Sequence, residues 1–474
     1  MITITLVGLL LTTSTLAFSN LGLRPQLASA LSTLNYQIMT PIQAQSLPAI
    51  LLGKDVIGQG KTGSGKTAAF ALGLLQSLDA KKFQVQALVL CPTRELADQV
   101  ADEIRRLAMA IDNVKIVSLC GGSPIKAQAN SLQYGAHIIV GTPGRIEEHL
   151  RRESLETDSL KTLVLDEADR MLDMGFEESL NKIVEMLPQE RQTLLFSATF
   201  PDAIQSIAQH VLINPVHVKV ASTHDQAILK QHFYKVADDV ERMQAVKLLL
   251  ISQMPASAVV FCNTKKEVKN LTQALAADGF SVCSLHGDLE QRERDQTLIQ
   301  FANQSALVLV ATDVAARGLD IDSIEMVINY HLAHDPEVHI HRIGRTGRAG
   351  KNGYAASLFS NSQDYKLALL SDAIGQEIIS EKLPSNKVLN QAPPRASMVT
   401  LLIDGGKKQK IRPGDILGAL TGEGGIAGEQ VGKIKVTAQR SFVAVHKQSS
   451  QKALTKLTQG KLKGKNIRAR FLSI

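Results

Sequence analysis

The sequence predicts an α/β protein: two tandem parallel-sheet domains followed by a small α+β domain. The first observation behind this is a recurring pattern. Short continuous runs of Val, Leu and Ile, each followed by a helical pattern, fill the chain to about residue 380, as buried parallel strands in βα units require. The second is duplication. "ALVLCPTREL" from Ala87 and "AVVFCNTKKE" from Ala258 share an apolar run, a Cys and a Thr, and "IIVGTPGR" from Ile138 and "VLVATDVA" from Val308 repeat the idea at nearly the same offset. The third is a change of pattern after residue 397, to the order βαββαβ in under eighty residues, which is that of the split-βαβ fold.

In chain order, residues 1–17 read as a leader, disordered or a mis-assigned start. Their stretch lacks a basic n-region, since the first charge is Arg24, and it is too short and hydroxyl-rich to span a bilayer. The first sheet domain covers 18–215, a linker 216–228, the second domain 229–380 and a further linker 381–396. The last domain, 397–474, reads strand Met398–Ile403, basic loop, helix Pro413–Leu420, strand Lys433–Ala438, strand Phe442–His446, helix Gln451–Gln459 and strand Ile467–Leu472. Pro413 in the first turn and Gly422 beyond the end punctuate its first helix.

Composition narrows the class. The chain of 474 residues is 44% hydrophobic and 20% charged, ordinary for a globular protein. Its four cysteines, Cys91, Cys120, Cys262 and Cys283, are far apart and form no C-x-x-C pair. That favours buried thiols in a reduced, cytoplasmic protein over a disulfide or zinc framework, and nothing reaches transmembrane length. The net charge of +7 is uneven. Residues 397–474 hold 15 Lys and Arg against 4 Asp and Glu, a balance of +11, which leaves −4 for the rest. A basic tail on a mildly acidic body points to a polyanionic partner held by the tail.

The chemistry starts at "GKTGSGKT", Gly60 to Thr67. It matches G-x-x-x-x-G-K-[ST] after a short apolar strand and before a helical run, the context a phosphate-binding loop requires. Backbone N–H groups of Gly60, Lys61, Thr62, Gly63, Ser64 and Gly65 would close around phosphate oxygens at a helix N-terminus. Lys66 would reach the β- and γ-phosphates of ATP, and Thr67 would ligate Mg²⁺. "LVLDEAD", Leu163 to Asp169, sets carboxylates at the carboxyl end of a buried strand, where parallel sheets bind ligands. There Asp166 would hold the Mg²⁺ and Glu167 would polarise the attacking water. "HRIGRTGR" places Arg345 and Arg348 three apart, at an expected helix start. Arginines supplied from a second domain would stabilise charge on the γ-phosphoryl oxygens.

With "PTREL" (Pro92 to Leu96), Gly121–Gly122, "TPGR" (Thr142 to Arg145), "DEAD", "SAT" (Ser197 to Thr199), "ATDVAARGLD" (Ala311 to Asp320) and "MTPIQ" (Met39 to Gln43), the body resembles a DEAD-box ATP-dependent RNA helicase, with two RecA-like domains. The resemblance implies that Gln43 reads adenine, with Phe18 stacked near it, and that Asp320 approaches the ribose. Ser197 and Thr199 would couple hydrolysis to strand separation. Arg94, Gly122, Thr142, Gly144 and Arg145 would grip the RNA backbone from the first half, and Thr264, Gln291, Arg294 and Thr312 from the second. Gly60 stands where the family usually has Ala, and His339 where it often has Tyr. A non-catalytic RNA-binding scaffold would lack Lys66, Glu167 or Arg345. A DNA-translocating helicase would show a different second motif and no Q motif.

The tail, in "LIDGGKKQKIRPGDILGAL", "GKIKV" and "GKLKGKNIRAR", is similar to the RNA-binding domain of the DbpA-type subfamily. That likeness implies 23S ribosomal RNA and the assembling large ribosomal subunit as partners of a monomeric enzyme. The βαββαβ order is also that of the RNA-recognition module, but the doubled aromatics of a stacking module are missing, and Phe442 reads equally well as core. Lys407, Lys408, Lys410 and Arg412, with the 461–470 strip, are therefore expected to meet RNA through charge.

Overall fold

The structure is a computed structural model that describes residues 16–60, 63–220, 229–316, 324–347 and 353–472. The described residues form two compact units, the first ending near residue 220 and the second running on to residue 472. Among them, the first unit has seven parallel strands: β1 (Val56–Gln59), β2 (Ala87–Leu90), β3 (Ile116–Leu119), β4 (Ile138–Gly141), β5 (Thr162–Asp166), β6 (Gln192–Ser197) and β7 (Val216–Lys219), in the order β3-β4-β2-β5-β6-β1-β7. Alternate residues of the central strands feed opposite cores. Ala87, Val89 and Val164 join Phe70 and Phe196 on one face, while Leu88, Leu90, Leu163 and Leu165 join Ile183 and Ile204 on the other. Both faces are dry, which is why these strands read as unbroken apolar runs.

The second unit repeats this plan. Its strands are β8 (Leu229–Lys235), β9 (Ala258–Cys262), β10 (Val282–Leu285), β11 (Val308–Thr312), β12 (Met326–Asn329), β13 (Gly353–Phe359) and β14 (Ser380–Glu381). They are parallel, in the order β10-β11-β9-β12-β13-β8-β14. Adding seven to each strand number of the first order gives the second. β2 corresponds to β9 and β4 to β11, the two pairs in which the sequence repeats itself. Thr93 and Thr264 also cap equivalent helices, each accepting a backbone N–H at 3.2 Å, from Leu96 and Glu267.

Two linker expectations are corrected at their edges. Val216–Lys219 falls in the expected linker but pairs with β1, and Glu381 pairs with Tyr234 of β8. Both are short edge strands, mostly exposed and polar enough to look like connecting chain. At the start, Leu16 and Ala17 of the expected leader are already tied to the fold, through Met39 N–H to the Leu16 carbonyl and a bridge between Ala17 and Ile38.

The tail is an antiparallel sheet in the order β16-β17-β15-β20, from β15 (Met398–Ile403), β16 (Val431–Val436), β17 (Ser441–His446) and β20 (Ala469–Phe471). A hairpin of β18 (Lys461–Leu462) and β19 (Lys465–Asn466) precedes β20 and is not expected from the sequence. The helices Pro413–Thr421 and Ser450–Gln459 cover one face, where Leu401, Ile403, Val443 and Val445 meet Ile416, Leu420, Ala453 and Leu457. The opposite face is buried as well. Thr400, Leu402, Phe442 and Ala444 are each 4% exposed or less, and the second sheet domain lies against that face. Thr400 Oγ accepts from Asn303 Nδ2 and pairs with Ser305 Oγ, both at 2.8 Å. Gln300 Nε2 donates to the Leu472 carbonyl at 3.2 Å, and Ala396 N–H donates to Ser281 Oγ at 2.9 Å. Phe442 is thus core, and this sheet is not an open platform for stacking bases.

Candidate active site and nucleic-acid interface

The strand order assembles the first site. β5, β6 and β1 are neighbours, and their carboxyl ends carry Asp166, Ser197 and the loop from Gly60. Gly60 N–H donates to the Ser197 carbonyl at 3.0 Å, and Lys66 Nζ donates to the Gly60 carbonyl at 2.5 Å. Lys66 opens the helix Lys66–Ser77, with half-buried Thr67 in its first turn. Gly63 and Gly65 have φ of 83° and 93°, left-handed conformations that favour glycine. At Gly65 a side chain would also collide with Gln43 Nε2 and Thr40 Oγ1, at 2.5 and 2.9 Å. Gln43 in turn donates from Nε2 to the Gly65 carbonyl at 3.0 Å and accepts from Thr40 N–H at 2.9 Å. This places Gln43 of "MTPIQ" directly on the glycine-rich loop. Phe18 is turned inward, 5% exposed, edge-on to Tyr36 with ring centroids 6.1 Å apart. Lys61, Thr62, Asp320 and Arg348 lie outside the described residues.

Asp166 and Glu167 are both buried. Burial first, and then the neighbouring Glu167 charge, push the Asp166 carboxyl up to about 7. Glu167 sits in left-handed backbone, φ 52°, and its Oε2 accepts from Arg170 Nη1 at 2.7 Å. That pair fixes the carboxylate that the sequence assigns to water. Asp169, whose role the sequence does not single out, makes the link to the "SAT" segment. Its Oδ2 accepts from Ala198 N–H, Thr199 N–H and Thr199 Oγ at 3.1, 2.9 and 3.0 Å, and its own N–H donates to Ser197 Oγ at 3.3 Å. Burial alone would raise Asp169, but the Thr199 donors and Lys66 bring it below the ordinary carboxylate value.

Two features fit a nucleotide and a hard cation. Thr40 Oγ1 and Ser64 Oγ, beside the loop, are buried hydroxyls without a hydrogen-bond partner. The cation donors, one carboxylate and one hydroxyl, suit Mg²⁺, which keeps several waters and takes substrate phosphate oxygens.

The other end of the same sheet edge holds a separate group. β3, β4 and β2 are neighbours, and after them come Gly121–Gly122, Thr142–Arg145 and Arg94. Arg94 lies over the glycine pair: a Cβ on Gly122, φ 79°, would stand 1.9 Å from Arg94 Nη1. Arg145 Nη1 donates to the Ser123 carbonyl at 2.8 Å, while Thr142 is half-buried and Gly144 is exposed. In the second unit, β10, β11 and β9 are neighbours in the same way. After them come Gln291 and Arg294, Thr312, and exposed Thr264. Gln291 Nε2 donates to Asp295 Oδ1 at 2.9 Å.

One placement differs from expectation. Arg345 does not stand at a helix start, because the helix Pro336–Ile343 precedes it and Gly344 follows that helix. Pro336 fixes the first turn instead. Arg345 is 5% exposed. Sequence reasoning misses Arg342, though it lies inside the quoted motif. Its guanidinium grips Asp313 with two 2.6 Å contacts and also reaches Asn263 and the His331 carbonyl.

In the tail, Lys407, Lys408, Lys410 and Arg412 are exposed. The glycines before them serve packing. A Cβ on Gly406 would stand 2.3 Å from the Thr437 carbonyl, and one on Gly405 2.6 Å from Ile411. Lys407 and Lys408 N–H groups donate to the Thr437 and Ala438 carbonyls at 2.9 Å, so the loop is pinned by its backbone with its ammonium groups outward. Lys463 Nζ, on the hairpin, donates to the Lys410 carbonyl at 2.7 Å, joining the two basic segments.

Comparison with known proteins gives matches along most of the chain. Residues 40–207 match the DEAD/DEAH box helicase family, residues 241–350 the helicase conserved C-terminal domain, and residues 400–471 the DbpA RNA binding domain. The chain is 53% identical over 457 residues to the ATP-dependent RNA helicase DbpA of Escherichia coli, covering 96% of this chain and 99% of that protein. It is 45% identical to the helicase CshA of Bacillus cereus over 71% of this chain and 64% of that one. Among solved structures it is similar to S. cerevisiae Dbp5 bound to RNA and ADP BeF3, with a TM-score of 0.70, 31% identity and coverage of 79% and 98%.

Proposed function

The chain belongs to the DEAD-box ATP-dependent RNA helicases of the DbpA type, and on that basis we propose that it remodels 23S ribosomal RNA locally during assembly of the large ribosomal subunit, as a cytoplasmic monomer. The observation that carries this reading is the build of the tail. Its sheet face is turned onto the second domain, while Lys407, Lys408, Lys410 and Arg412 face solvent. Such a surface reads RNA by phosphate placement and shape.

In this reading the body performs chemistry on any RNA strand. Lys61 to Gly65 wrap the phosphates, with Gly60 anchoring the loop through its N–H on the Ser197 carbonyl; Lys66 neutralises the β- and γ-phosphates, Gln43 meets adenine beside Phe18, and Asp320 meets ribose. Thr67 and Asp166 would hold Mg²⁺, which would supply charge neutralisation on the phosphate oxygens. Glu167, fixed by Arg170, orients the attacking water, and Arg345 and Arg348 stabilise charge on the transferred group. Ser197 and Thr199 respond through Asp169. Arg94, Gly122, Thr142, Gly144 and Arg145, with Thr264, Gln291, Arg294 and Thr312, hold the strand by its backbone.

ATPase stimulation by 23S ribosomal RNA, by unrelated RNA and by single-stranded DNA, at matched salt and limiting concentration, tests this. The expected order is ribosomal RNA well ahead of other RNA, with DNA inactive. Equal stimulation by the two RNAs would overturn the ribosomal target.

A further inference from the structure

We propose that Gln128 and His149 are positioning residues that set Arg145 for RNA. This rests on the assignment of Arg145 as an RNA-backbone contact and extends it inward. Gln128 lies on the helix Ile125–Leu132 and is 8% exposed; His149 lies one turn beyond Arg145 on the helix Pro143–Arg151 and is fully buried. Residues four apart share a helix face, so both side chains reach the same acceptor. Gln128 Oε1 takes Arg145 Nη1 at 2.6 Å and His149 Nε2 at 3.1 Å. The amide cannot rotate to avoid them, because its Nε2 donates to the Cys120 carbonyl at 2.9 Å, next to the Gly121–Gly122 pair.

The histidine is locked in turn. Its Nε2 must carry the proton to serve Gln128, so Nδ1 accepts from Ser154 Oγ at 2.7 Å. Burial first, then the adjacent Arg145 cation, keep the ring neutral. With Glu148 Oε2 3.3 Å from Arg145 Nε, the guanidinium is held along two edges, and its side chain is 13% exposed. A long arginine otherwise loses rotamer entropy when it meets a phosphate. Here the buried amide and imidazole have removed that freedom beforehand, which places the benefit in RNA affinity and not in turnover.

The test measures RNA-stimulated ATPase of the full chain. Half-maximal RNA concentration and kcat at saturating RNA are read separately, with thermal midpoints for each variant. Gln128→Met keeps the volume and removes the acceptor. It is expected to raise the half-maximal RNA concentration about 3- to 10-fold, with kcat within about two-fold. Arg145→Ala should raise it at least as far, and the double variant should be no weaker than Arg145→Ala alone. His149→Phe should follow Gln128→Met, while His149→Gln, which retains an N–H donor at similar reach, should recover most of the affinity. Additive effects of Gln128→Met and Arg145→Ala, or equal behaviour of His149→Phe and His149→Gln, would overturn the positioning role. Unchanged RNA affinity in Arg145→Ala would instead refute the contact assignment, and the inference with it. The two histidine variants decide the matter if Gln128→Met does not fold.

Discussion

Glu167 and His339 show how a single buried group decides a measurable property. Glu167 is fixed by Arg170 in a left-handed backbone at the carboxyl end of β5. Glu167→Gln keeps its size and an acceptor for Arg170 but removes the charge proposed to orient water. ATP and RNA binding should persist while turnover falls on the order of 10²-fold or more; single-turnover hydrolysis measures it. His339 is 1% exposed, stacked on Phe233 with an interplanar angle of 17°, and its Nε2 has no hydrogen-bond partner. Burial, and then Arg342, hold its pKa down to about 3. The unfolded chain's histidine titrates near ~6.5, so protons favour unfolding, and stability is lost as pH falls below ~6.5. Between pH 7 and 5 the loss is about 2 kcal/mol. His339→Phe keeps the stacking and removes the unpaired N–H. Its denaturation midpoint should fall less than that of the parent over this interval, and an equal fall would rule His339 out.

Among the elements, the loop from Asp404 to Arg412 sets glycines next to lysines, yet its backbone leaves no N–H cradle of the kind that Gly60 to Thr67 is expected to form. Gly406 admits close approach of the Thr437 to Arg440 backbone and Gly405 that of the Ile411 side chain, and the pinned N–H groups of Lys407 and Lys408 point at carbonyls. Those N–H groups are therefore already used, and only the ammonium groups face outward. Replacing Lys407, Lys408 and Lys410 with Ala should weaken RNA binding without unfolding the tail. The slope of log affinity against log salt should flatten by roughly 0.7–0.9 for each phosphate no longer neutralised. A slope identical to that of the parent would remove the loop from the RNA interface.

At the scale of the whole molecule, one helix connects the proposed RNA contacts of the second unit to the tail. Gln291–Ala302 begins with Gln291 and Arg294 and ends with Gln300 in its last turn and Asn303 as its cap, which bond to Leu472 and Thr400. Its twelve residues span about 18 Å. Thr400 is the centre of the dock, 1% exposed and bonded to both Asn303 and Ser305. Thr400→Val leaves two buried polar groups short of a partner, at a cost of about 1–3 kcal/mol. Hydrogen exchange in β15 should then quicken while the helix Lys66–Ser77 of the first unit is unchanged. Uniform exchange in both regions would show that the dock does not hold the tail sheet.

Sheet class, internal duplication and the glycine-rich loop that opens the helix Lys66–Ser77 are all legible in the chain as written. Each is expressed in local terms: runs of apolar residues, fixed spacings, and glycines where the backbone needs them. The family likeness follows from the same short motifs. Which motifs meet is settled by the folded chain alone. Strand order brings β5, β6 and β1 together and leaves β3, β4 and β2 as a separate group, and no local pattern encodes that crossover. Folding makes Asp169 the link to Thr199, gives Arg342 to Asp313, and sets Gln128 and His149 behind Arg145. It also buries the second face of the tail sheet, Phe442 included, against Asn303 and Ser305, which lie 97 and 95 positions before Thr400 in the chain. Long-range contacts of this kind depend on how packed elements close on one another, and a buried polar side chain looks the same in sequence whichever partner it finds.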